Sequence, residues 1–97
     1  MIRVRIGESE RELKDATPQW INEQINRRRA DGVSFCVRVL IDSNPIKLTL
    51  STPGCGGVGG RLPNTHEKVI LELWEKLHLN TEGFSGGNLV AFLRQIS

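Results

Sequence analysis

Cysteine is scarce in this sequence of 97 residues, which contains only Cys36 and Cys55. Two are too few for a disulfide-built scaffold, and neither belongs to a CxxC or a His/Cys cluster with zinc-ligand spacing. Free thiols in the cytoplasm are the expectation. Long apolar runs are missing too. No stretch approaches the roughly 20 apolar residues that cross a bilayer, and the opening MIRVRIGESERE has no apolar core of signal-peptide length. Neither secretion nor a membrane span is expected. A strong charge of one sign is also absent, since 13 basic and 11 acidic residues leave a formal net charge of +2. Nucleic-acid domains usually carry a larger basic excess.

What is present suffices for folding. Hydrophobic residues make up 38% and charged residues 25% of the chain, a balance outside the disordered range. The length fits one domain over residues 1–97. Ile2, Val4 and Ile6 alternate with Arg3 and Arg5, the period-two pattern of a strand with one buried face. Ser9 and Glu12 have capping-box spacing, which predicts a helix over 9–30 with a break or kink at Pro18, where Thr17-Pro18 is itself a good N-cap pair. Asp31-Gly32 closes it.

The run VSFCVRVLI predicts a strand over 33–41 with Val33, Phe35, Val37, Val39 and Ile41 on one face and Ser34, Cys36 and Arg38 on the other. IKLTLS predicts its hairpin partner over 46–51. Opposing Ile41 to Ile46 puts Val39 against Leu48 and Val37 against Leu50, so every large apolar side chain shares one side. Asn64 or Thr65, with Glu67, caps a helix over about 65–78. Leu89, Phe92, Leu93 and Ile96 mark a last one after Ser85. The expected fold is α+β in the order βαββαα, a three-stranded, mainly antiparallel sheet with helices on one face. Trp20 and Trp74 are expected in the core. Gly86-Gly87 in a first helical turn is costly unless close packing requires it.

Five glycines fall within residues 54–60, a segment read as a flexible loop spanning 53–61. Gly54-Cys55-Gly56-Gly57-Val58-Gly59 is a literal GxGxxG, a pattern that lets backbone N–H groups approach a pyrophosphate. Its surroundings exclude a dinucleotide fold: the preceding strand belongs to a hairpin, and the rest of the chain cannot supply a doubly wound sheet. Gly60-Arg61 also breaks the P-loop pattern. What survives is a candidate contact made by Gly54, Cys55, Gly56, Gly57, Gly59, Gly60 and Arg61 with an anion or a peptide.

Arg27, Arg28 and Arg29, with Arg3 and Arg5, offer a positive surface for phosphates, although basic residues also suit a helix C-terminus. Cys55 is the candidate nucleophile, with His66 nearest in sequence and His78 at the far end of the same helix. No third orienting residue is identifiable. The leading expectation is a noncatalytic interaction or accessory module that contacts another protein through the glycine loop and uses no cofactor or metal. The alternative is a small anion- or nucleic-acid-binding domain using Arg61 and Arg27–Arg29. A Cys55-dependent enzyme ranks third. An exposed edge on the first strand leaves pairing with a second copy open.

Overall fold

The computed structural model describes residues 1–44, 46–52, 63–79 and 85–96, with 78 and 79 described by backbone alone. Strands β1 (Ile2–Ile6), β2 (Ser9–Glu12), β3 (Val37–Ser43) and β4 (Ile46–Ser51) form one antiparallel sheet in the order β2-β1-β3-β4. Helices α1 (Pro18–Ala30), α2 (Thr65–Leu79) and α3 (Gly86–Ile96) complete an α+β fold. Among the described residues the sheet therefore has four strands where three were expected, and the order is ββαββαα. Among the described residues no helix is long and apolar enough to cross a membrane.

The extra strand is the segment that reads as a helix start. Gly7, at φ +60°, makes a tight return possible between Ile6 and its partner Ser9. The segment 9–12 then alternates across a pleat. Glu10 and Glu12 stand on the outer face, where both reach Arg3 at 3.2 and 3.7 Å. Ser9 Oγ donates to Gln24 Oε1 on α1 and accepts from Arg28 Nη2, so it is engaged with α1 and not with a helix start of its own. Cross-strand pairing has overridden a local capping signal. It also makes β1 an interior strand, so the sheet edges are β2 and β4.

Helix α1 begins where Thr17-Pro18 suggests, with Trp20 N–H donating to Thr17 Oγ1 at 3.1 Å and proline in the first turn. It ends through Asp31 and Gly32, the latter at φ +67°. Strand β3 starts four residues later than the alternation implies. Val33 is 57% exposed and Phe35 half-buried, outside the ladder.

The β3–β4 register pairs Ser43 with Ile46, Ile41 with Leu48 and Val39 with Leu50, two residues from the expected pairing. A shift by two leaves every side chain on its original face, so the hydrophobic pattern cannot distinguish the alternatives. The amino terminus helps to hold the longer β3: the Met1 ammonium donates to Asp42 O at 2.7 Å and to Ser43 Oγ at 3.0 Å.

Val4, Ile6, Val37, Val39 and Leu50 are almost fully buried, together with Ile21 of α1 and Leu89 and Leu93 of α3. Trp20 and Trp74 are both core residues, as their spacing implied. Trp74 lies 5.7 Å from the Phe92 ring, and its indole N–H donates to Ser51 O at 3.0 Å. Asn64 opens α2: its Oδ1 accepts from Glu67 N–H, and its Nδ2 donates back to Glu67 Oε1. At the start of α3, Gly86 N–H donates to Asn22 Oδ1 at 2.7 Å. A Cβ at Gly86 would collide with the Pro18 carbonyl, so close packing does explain this glycine.

Candidate functional site

Two of the cross-strand rows on the sheet face opposite the core carry its arginines. One runs Glu12, Arg3, Leu40, Thr49; the next runs Glu10, Arg5, Arg38, Ser51. The second row sets two arginines directly opposite each other. Gly7 N–H donates to Cys36 O, and Asp42 N–H to Met1 O, so alternate pairs of this register are of the hydrogen-bonded kind. Arg5 and Arg38 form such a pair, with Cα atoms about 5.5 Å apart. Like charges at this position destabilise a sheet.

Glu10 is the strand neighbour that stands to neutralise Arg5, yet its carboxylate goes diagonally to Arg3. Arg5 instead donates from Nε to Gly7 O at 3.2 Å and makes no ion pair among the described residues. Arg5 and Arg38, with Gly7, Ser34, Phe35 and Cys36, line a hollow of about 260 Å³. Among the described residues no carboxylate lines it.

Gly7, Ser34 and Phe35 also line a second hollow of about 410 Å³, so the two adjoin. Its charges nearly balance, with Arg27 and Arg28 set against Glu8 and Asp31, while Val33 and Phe35 contribute apolar surface. Arg28 is held in place. Its Nη1 donates to Gln24 O and Oε1, its Nη2 donates to Ser9 Oγ, and its guanidinium lies where a Cβ at Gly7 would be. Gly7 is thus required by its positive φ and by this cation. Arg27 is tied to Glu23 at 3.0 Å, and Arg29 is exposed on the last turn of α1 outside both hollows.

The three-arginine cluster therefore divides, and only Arg27 and Arg28 join the groove. Arg5 joins it from the first strand, whereas Arg3 is occupied by Glu10 and Glu12. Arg38 is the participant that the sequence reading placed on the outer face but assigned no role. The glycine-loop candidates Gly54, Cys55, Gly56, Gly57, Gly59, Gly60 and Arg61 lie outside the described residues. His66 is exposed in the first turn of α2, and the side chain of His78 is outside the described set. Cys36, expected as a free thiol, is disulfide-bonded. The only other cysteine in the sequence is Cys55. Among the described residues no group of His, Cys, Asp and Glu side chains is arranged to hold a metal ion.

Comparison with known protein families, with characterised proteins and with solved structures finds no match to this chain.

Proposed function

We propose that this chain is a noncatalytic binding domain that recognises an oxyanion, phosphate or carboxylate, carried by a partner molecule. The observation that supports this reading is the Arg5–Arg38 pair: two arginines in register across β1 and β3, both lining one hollow. An anion that meets two guanidinium forks is held by charge-assisted hydrogen bonds. Arg28 lies alongside as a third, fixed cation.

The partner is a protein on this reading, and residues 54–60 with Arg61 are proposed as its further contact surface. That part rests on composition alone. A cytoplasmic location is likewise a proposal, and the disulfide at Cys36 weighs against it because such bonds persist in oxidising compartments.

Isothermal titration with phosphoserine amide tests the reading. Saturable binding by the native chain that Arg5→Thr with Arg38→Thr removes, while the folded spectrum is retained, is the expected result. Equal heats from native and substituted chains would refute it.

A further inference from the structure

We infer that the second hollow is the surface through which this chain pairs with a second copy of itself about a two-fold axis. The pairing goes beyond the oxyanion reading and uses no residue particular to the first hollow. The walls of the second hollow carry both signs: Arg27 and Arg28 from the last turn of α1, Asp31 at its C-cap, and Glu8 from the turn between β1 and β2. A polyanion or a polycation therefore meets like charges there as well as opposite ones. A second copy avoids this, because an isologous interface makes every contact twice, residue i with j and j with i. Arg27 and Asp31 stand four residues apart, about one helical turn, and both are exposed. A two-fold axis between them sets Arg27 of each chain against the partner's Asp31, giving two identical ion pairs across the interface. Among the described residues neither Asp31 nor Glu8 makes an ion pair within its own chain. Arg27 reaches Glu23 through Nη2 at 3.0 Å, which leaves its other donors for the partner.

Val33 supplies the apolar centre. It lines the same hollow as the half-buried Phe35 and is itself 57% exposed. Across the axis each Val33 enters the partner's hollow, so that an apolar centre is ringed by charge as in other protein interfaces. The surface is already ordered: Arg28 is held by Gln24 and Ser9, and Val33 N–H donates to Arg28 O at 3.1 Å. Pairing therefore immobilises few groups. The sheet edges are poorer routes to a dimer. A two-fold pairing along β2 would set Glu10 and Glu12 against their own copies, and β4 carries Lys47, a charge that discourages edge pairing.

Analytical ultracentrifugation of the full chain over a range of concentrations tests the pairing. The native chain is expected in a concentration-dependent monomer–dimer equilibrium that weakens as salt screens the ion pairs. Val33→Asp should weaken dimerisation at least about tenfold. Arg27→Glu and Asp31→Lys should each weaken it as much, since either change sets like charges together at both symmetric contacts. An equimolar mixture of those two variants should recover dimers, because in the mixed pair both contacts again join opposite charges. Misfolding of a variant cannot produce that recovery. A native chain that stays monomeric up to millimolar concentration, a Val33→Asp chain that dimerises as well as the native one, or an equimolar mixture of folded variants that stays monomeric overturns the inference.

Discussion

Arg5 and Arg38 stand opposite each other across the β1–β3 ladder, while Glu10, the residue paired with Arg5 on its other side, gives its carboxylate to Arg3. The ladder thus sets two like charges directly opposite each other on the outer face.

Arg5→Thr is therefore expected to leave the unliganded protein as stable as before or more so, by up to about 1 kcal/mol. Urea unfolding at low and high salt measures this. The difference should shrink as salt screens the repulsion. With a saturating anion the order should reverse, because only the native chain gains binding free energy.

Gly86 and Gly87 should respond in opposite directions to alanine. A Cβ at Gly86 meets the backbone carbonyl of Pro18, which cannot move without displacing the start of α1. Gly86→Ala should cost about 1–3 kcal/mol. Gly87, exposed and clear of everything nearer than Ser85 Oγ at 3.9 Å, should gain about 0.5–1 kcal/mol as alanine. Paired thermal melts decide both.

Cys36 should give no thiol reaction when the protein is unfolded without reductant. Reduction should then lower stability by about 2–5 kcal/mol. A Cys36 that alkylates readily in the unreduced chain would contradict the disulfide.

The affinity for a phosphomonoester should fall as pH drops through about 6, because the ligand gains a proton there. A carboxylate ligand should show no step in that window. Titrations at pH 7.5 and 5.0 separate the two.

The parts of the fold that follow from local patterning were legible in the sequence. Ile2, Val4 and Ile6 defined β1, the Thr17-Pro18 pair defined the start of α1, and Asn64 with Glu67 defined the start of α2. Ser9–Glu12 was misread because its capping spacing is local information, whereas the ion pairs of Glu10 and Glu12 with Arg3 form only once β1 lies beside it. The β3–β4 register escaped for a different reason, since a shift by two residues keeps the same face. The site was half legible. Arg5 and Arg38 could each be placed on the outer face from alternation, but their pairing depends on β1 lying next to β3.

Side-chain Nε–Hε spectra of the arginines during titration with phosphoserine amide test the central claim most directly. The account predicts saturable shifts at Arg5 and Arg38, smaller ones at Arg28, and none at Arg3 or Arg29. Uniform small shifts across all five, or saturable shifts confined to Arg29, would contradict it.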